Sequence, residues 1–190
     1  MTTRCFLAIS IPEDVRSELM NLQMRLKGFS SLVAWTRPES LHLTLKFFGD
    51  VRNSDLPTLR QTLLPIAAEC NPLTLTVGKL GAFPSFRKPR VFWVGIQDED
   101  VGSLSDLAER IEVAGEQQGY PREERSFQPH LTLGRSKAVD RFTQLVEEMQ
   151  RCSDDYFAGS FIADHLTLYQ SVLQPAGAVY KPLAVLPFHK

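Results

Sequence analysis

Three of the four histidines in this 190-residue chain open the same tetrapeptide. His42-Leu43-Thr44-Leu45 returns as His130-Leu131-Thr132-Leu133 and again as His165-Leu166-Thr167-Leu168. The apolar-polar alternation reads as a β-strand, in which alternate side chains point to the same side. His42 and Thr44 then share one face, with Leu43 and Leu45 anchoring the other, and His130 and Thr132 repeat the arrangement. Two such pairs facing one another suit phosphoryl chemistry without a metal. One neutral imidazole can take a proton from an attacking water or hydroxyl, while a protonated one gives a proton to the leaving oxygen. An unperturbed pKa of about 6.5 lets both forms coexist near neutrality. The threonine hydroxyls can donate to the non-bridging oxygens, where negative charge grows in the transition state.

The elements that must position these groups recur with the motif. Residues 4–10 read as a buried strand, followed by a helix-start signal with Ser10 as N-cap and Glu13 three residues on. Val15, Leu19, Leu22 and Leu26 follow at helical spacing, and Gly28 ends that run. After a loop carrying Trp35 and Pro38 comes a strand over 41–48, closed by Gly49-Asp50. Ser54 opens a second helix with Leu59, Leu63, Ile66 and Ala67 inward, and 73–80 alternates as a strand. A loop over 81–90 interrupts the order, which then begins again. A strand over 91–97 leads to a helix from Ser103 with Leu104, Leu107, Ile111 and Ala114 inward, then a strand over 130–135. A helix from Asp140 carrying Phe142, Leu145, Val146 and Met149, a strand over 161–169 and a last strand over 179–188 complete the chain.

His42 and His130 lie 88 residues apart, and the flanking elements follow at nearly the same offset, the mark of an internal duplication. The expected architecture is α+β and bilobal: two antiparallel-type β-sheets with flanking helices, made from pseudo-twofold duplicated β-α-β-α-β units around a central cleft. The whole of 1–190 forms one domain in this reading, with half-repeats over 4–80 and 91–170. His165 falls outside the scheme, since the position 88 residues before it is Val77. The third tetrapeptide therefore reads as a coincidence of strand composition, and His189 as idle.

Composition sets the outer limits. A net charge of −1 argues against a surface that grips long nucleic acid by phosphate neutralisation, leaving small anionic ligands or nucleic-acid ends. Cys5, Cys70 and Cys152 are odd in number and lack C-x-x-C spacing, which points to a reduced intracellular protein. The short apolar run at 5–9 is neither a signal-peptide core nor a membrane span, so the expected place is the cytoplasm and no membrane partner is expected.

Several stretches resemble a known family. Trp35 with His42-Leu43-Thr44-Leu45-Lys46-Phe47-Phe48-Gly49, Gly81-Ala82-Phe83-Pro84, Pro89-Arg90-Val91-Phe92-Trp93-Val94-Gly95, Phe127-Gln128-Pro129-His130-Leu131-Thr132-Leu133-Gly134-Arg135, and Leu168-Tyr169-Gln170-Ser171 with Gly177 and Tyr180 are similar to the RNA 2′,3′-cyclic phosphodiesterases. These belong to the 2H phosphoesterase superfamily and are also called 2′-5′ RNA ligase-like proteins. The resemblance implies two motifs facing each other in a cleft, and metal-independent opening of a 2′,3′-cyclic phosphate to a 2′-phosphate with no cofactor. RNA 3′ ends or cyclic nucleotides are then the substrates, DNA is not a partner, and the chain is expected to be a monomer. His42 is assigned as general acid and His130 as general base. Thr44 and Thr132 match the phosphate-binding positions. Arg135 matches the basic residue that commonly follows the second motif, where it could hold phosphate bidentately. Strand parity puts Arg135 on the face away from His130, so the chain must bend at Gly134 to bring it round. Phe48 and Lys46 share the parity of His42 and are candidates for base stacking and for contact with the RNA backbone.

Other readings separate on simple grounds. The same site run in reverse would be a 2′-5′ ligase, but no nucleotide-binding P-loop or ligase lysine motif points to ATP-driven sealing. A non-catalytic RNA-end binder would not need the histidines. A zinc site from His42, His130 and His165 lacks an acidic partner and H-x-x-x-H spacing. The dense basic cluster Arg87, Lys88 and Arg90 reads as a solvated loop that could also guide an RNA tail.

Overall fold

A computed structural model of the chain describes residues 1–137, 142–174 and 177–189. In the first half, strand β1 (Thr2–Ser10) leads through helix α1 (Glu13–Lys27), β2 (Val33–Trp35) and a 3-10 turn (Pro38–Ser40) to β3 (His42–Arg52). Helix α2 (Leu56–Ala68) and β4 (Leu73–Phe83) follow. The second half gives β5 (Val91–Asp98), α3 (Ser103–Gln117), β6 (His130–Ser136), α4 (Thr143–Ser153) and β7 (Phe157–Ala163). Two further strands, β8 (His165–Gln174) and β9 (Gly177–Pro187), end the fold. Residues of all four helices join one apolar core with Cys5, Leu7, Ile9, Leu43, Leu131 and Leu133. In β3 and β6 the leucines of the motif join that core, and the histidines and threonines lie on the other face.

The strands run in the order β7-β4-β5-β6-β3-β1-β8-β9, every recorded pairing antiparallel, with β2 added to β6. The two expected sheets are therefore one continuous sheet, joined where β3 and β6 meet through the single pair Leu43 and Leu131. These leucines are themselves 88 residues apart, so the pseudo-twofold passes between them. Further along β6, Val33 to Trp35 of β2 pair with Ser136 to Gly134 and occupy the edge that β3 leaves. The short β2 lies in the stretch read as loop, because three residues are too few for a periodic signal.

The spatial halves are not the sequence halves. β4 pairs with β5 of the second unit, and β8 pairs with β1 of the first. The expected single strand over 161–169 is two strands, β7 and β8, which lie towards opposite ends of the sheet. β4 runs three residues past the expected end, to Phe83. There Trp93 of β5 lies flat in the space that a side chain on Gly81 would fill, so only glycine fits beneath the indole. Ser10 does not cap α1, since it is the last residue of β1 and is paired with His42. Pro12 takes the cap position without a side-chain bond. The expected helix start at Asp140 lies outside the described residues, and Phe142 immediately precedes α4.

Both strands that carry the paired motif have a β-bulge at equivalent positions. On β3, Leu7 pairs with Lys46 and Ala8 with Thr44, which leaves Leu45 as the extra residue. On β6, Phe92 pairs with Gly134 and Trp93 with Thr132, which leaves Leu133 extra. An extra residue reverses the alternation beyond it. The Leu133 bulge is held by its carbonyl, which accepts from the Thr36 amide at 2.8 Å and from Gln23 Nε2 at 2.8 Å. Gln23, 2% exposed, also donates to the Thr36 carbonyl at 2.9 Å. Replacing it with leucine would remove both donations, at a cost of about 1–2 kcal/mol by the usual balance for buried hydrogen bonds. Chemical denaturation of Gln23→Leu should show that loss, and an unchanged midpoint would remove Gln23 from the supports of the bulge.

Candidate active site

The seam between β3 and β6 builds the site. With Leu43 opposite Leu131 in an antiparallel register, His42 comes across from Thr132, and Thr44 across from His130. Histidine and threonine thus alternate around a four-cornered patch on the open face, while both leucines are buried beneath it, at 1% and 0% exposure. The four residues themselves are half-buried.

Each imidazole is oriented by the backbone two residues before it. His42 Nδ1 lies 2.8 Å from the Ser40 carbonyl oxygen, and His130 Nδ1 lies 2.7 Å from that of Gln128. A carbonyl only accepts, so each Nδ1 carries a hydrogen and each neutral ring keeps an unprotonated Nε2. Ser40 and Gln128 are again 88 residues apart.

Aromatic rings surround the two histidines unequally. The His42 ring stacks on Phe6, with centroids 4.7 Å apart, and takes the edge of Tyr180 at 5.0 Å. Tyr169 stacks on the same Phe6 at 5.3 Å, and its hydroxyl bonds Ser10 Oγ at 2.8 Å. His130 meets Phe83 edge-on at 4.9 Å, with Trp93 at 6.2 Å. Burial pushes the His42 pKa down to about 4, with the Ser40 carbonyl opposing the shift and His130 adding a smaller depression. Burial also lowers His130, the Gln128 carbonyl opposes, and the charge of Arg135 lowers it further. Both rings are therefore neutral near pH 7 in the free site.

Arg135 does reach this face, but the turn is made by the bulge at Leu133 rather than at Gly134. Arg135 is exposed, and its charge acts on both His130 and Tyr180. Gly134 instead turns towards β2, where a Cβ would lie 2.6 Å from Val33 Cγ1. The same bulge geometry in the first half corrects the placement of Lys46 and Phe48. Beyond Leu45 the parity flips, so both point into the protein, at 1% and 5% exposure. Lys46 pairs with Glu112 of α3 at 2.6 Å and donates to the Pro121 carbonyl at 2.9 Å. Phe48 packs edge-on against Tyr120 at 5.2 Å. The residue delivered to the open face is Phe47, 46% exposed and 5.4 Å from Phe6. Phe47 and Arg135 are equivalent positions, 88 residues apart. No sequence signal marked the bulges, since Leu45 and Leu133 simply continue the alternation of the motif.

Phe6, Tyr169 and Tyr180 as neighbours of His42 were not singled out from sequence, because Phe6 sits inside an apolar run that reads as core throughout. His165 is two strands from His42, at the start of β8, with Nδ1 2.6 Å from Asp164 Oδ1. Among the described residues no group of three or more His, Cys, Asp or Glu side chains could hold a metal ion, and the three tetrapeptide histidines do not converge. No helix among the described residues is long and apolar enough to cross a membrane.

Comparison with known proteins adds an independent line. A family profile described as the 2′-5′ RNA ligase superfamily matches residues 11–174. An RNA 2′,3′-cyclic phosphodiesterase of Methanothermobacter thermautotrophicus is 32% identical over 188 residues, 97% of this chain and 98% of that protein. The crystal structure of a Thermus thermophilus protein, TT0787, has 28% identity and a TM-score of 0.81, covering 97% of both chains. E. coli LigT complexed with 3′-AMP has 25% identity and a TM-score of 0.80 over 100% of each chain.

The low pKa of His42 has a consequence for stability. Its folded value of about 4 lies below the ordinary value of 6.5. Below pH 6.5 the unfolded chain binds a proton that the folded site refuses. Stability is therefore lost as pH falls from about 6.5 towards 4, by up to about 1.4 kcal/mol per pH unit from this group. Denaturant midpoints should drop more steeply with acid for the parent than for His42→Gln, and parallel curves would show that burial of His42 carries no such linkage.

Proposed function

The chain belongs to the 2′-5′ RNA ligase superfamily, and on that footing we propose that it hydrolyses 2′,3′-cyclic phosphate ends of RNA or nucleotides to 2′-phosphates, without a metal or cofactor. The observation that carries this reading is the four-cornered patch at the seam, with two histidines whose Nδ1 atoms are held by backbone carbonyls. The cyclic phosphate lies over that patch. His130 Nε2 takes a proton from a water that attacks phosphorus, the bond to the 3′-oxygen breaks, and His42 Nε2–H protonates that oxygen. Thr44 and Thr132 donate to the non-bridging oxygens and Arg135 offsets their charge.

Unequal surroundings support this division of roles. Burial, with the charge of Arg135 added, keeps His130 neutral as the anionic phosphate arrives, the state a base needs. Burial among aromatic rings is the main cause of the low His42 pKa, so the incoming negative charge acts to protonate it. Reversal with an RNA 5′-hydroxyl in place of water would use the same groups and form a 2′-5′ linkage, a reading favoured by the family's name alone.

The test is a short RNA ending in a 2′,3′-cyclic phosphate, incubated with the protein and EDTA. A 2′-phosphate product is expected, and a 3′-phosphate product or a requirement for metal would overturn the reading. His42→Ala and His130→Ala should each lower kcat by about 10²–10⁴-fold. The free-enzyme pKa values are both lowered, so kcat/KM should peak on the acid side of pH 6.5. Bound phosphate raises His42, so kcat should peak at higher pH than kcat/KM, and coincident maxima would contradict protonation on binding.

A further inference from the structure

We propose that the hairpin joining β4 to β5, with the Trp93 and Phe83 rings at its base, is a single-stranded RNA subsite for nucleotides beyond the one bearing the cyclic phosphate. The proposal rests on the hydrolase reading above and deepens it, by assigning a place to the nucleotides that precede the reacting end. Arg87, Lys88 and Arg90 are all exposed within four residues of chain, and no ion pair is recorded for any of them among the described residues. By contrast Arg16, Arg25, Arg52, Arg110, Arg122 and Arg151 are all matched to carboxylates. In a chain of net charge −1 the hairpin is where such uncompensated cations are densest.

These cations stand on a fixed mount. Pro89 is buried, Phe86 packs against the core, and the Arg90 amide donates to the Phe83 carbonyl at 2.7 Å. The Arg90 carbonyl in turn accepts from the Ser136 amide at 2.9 Å, tying the hairpin to the strand that carries His130 and Arg135. Between hairpin and histidine lie the two rings. Phe83 touches His130 edge-on at 4.9 Å and lies 5.1 Å from Trp93. The Trp93 indole lies against glycine backbone, in the space a Cβ on Gly81 would fill and 3.6 Å from an ideal Cβ on Gly95. Two glycines thus clear the bed on which it rests. Its Nε1 is buried with no partner, so packing alone holds the ring, and the residue remains only half-buried. A part-exposed aromatic pad followed by unpaired cations is the arrangement that stacks bases and tracks the phosphates of a single strand.

Oligoribonucleotides that end in a cyclic phosphate should therefore be better substrates than a mononucleoside 2′,3′-cyclic phosphate. In a variant combining Arg87→Ser, Lys88→Ser and Arg90→Ser, kcat/KM for the oligonucleotide should fall about tenfold, and the salt slope should shrink by about two, from roughly 0.7 per lost phosphate contact. Turnover of the mononucleotide should stay at the parental rate, which also shows that the variant is folded. Binding of a 2′-phosphate-ended oligonucleotide, followed by anisotropy, should weaken in parallel and reads the subsite without turnover. It should quench tryptophan fluorescence in the parent but not in Trp93→Phe. Equal kcat/KM and equal binding in parent and triple variant would overturn the subsite while leaving hydrolysis of the mononucleotide intact. Failure of the parent on both substrates, with oligonucleotide binding retained and hairpin-dependent, would overturn the hydrolase reading instead.

Discussion

The two halves of the sheet hang on one residue pair. Leu43 and Leu131 are the whole recorded ladder between β3 and β6, and the pseudo-twofold runs between them. A slip of one residue in either strand would turn its leucine out and its histidine into the core, so register is set by burial rather than by a run of hydrogen bonds. The helices supply that burial. α1 brings Leu19 and Leu22, and α3 brings Leu107 and Ile111, into the same core as the seam leucines. The geometry of the polar patch above is thus fixed from below, by packing that never touches a ligand.

The bulge after each motif then decides what else reaches the open face. A strand in strict alternation would offer Lys46 and Phe48 beside His42, and Gly134 beside His130. With Leu45 and Leu133 as extra residues, the face receives Phe47 and Arg135 instead. This is where a symmetric scaffold becomes an asymmetric site, with a ring in one slot and a guanidinium in the equivalent one. The inward partners differ as well: Lys46 enters an ion pair with Glu112, and Gly134 makes room for β2. A displacement at phosphorus is itself asymmetric, one oxygen losing a proton as another gains one, so identical halves could not serve both roles equally well.

Much of this was legible in the residues. The paired H-x-T, the 88-residue offset and the order of helices and strands all follow from local pattern, because burial on one face writes itself into alternation. Three things were not. A bulge leaves no periodic trace of its own, and so Lys46 and Phe48 were expected where Phe47 stands. Pairing partners are non-local, so the passage of β4 to the second half and β8 to the first could not be read from either strand. Ser10 carried the letters of a helix cap but was claimed by a strand pairing with His42. The third tetrapeptide shows the converse. His165 has the same three residues after it as His42, yet its strand contributes Tyr169 to the site, through contact with Phe6.

The surroundings that depress the His42 pKa also make its charge conditional. An exposed histidine would be partly protonated near neutrality whether or not a ligand were present, and a salt-bridged one would be protonated always. Here the ring packs against both Phe6 and Tyr180, with its one recorded polar bond spent on the Ser40 carbonyl. Removing water from that ring disfavours the cation until a negative charge arrives to balance it. Aromatic packing that looks structural is therefore what holds His42 neutral near pH 7. At His130 burial again disfavours the cation, and there the charge of Arg135, placed by a bulge 88 residues from that of Phe47, adds to it.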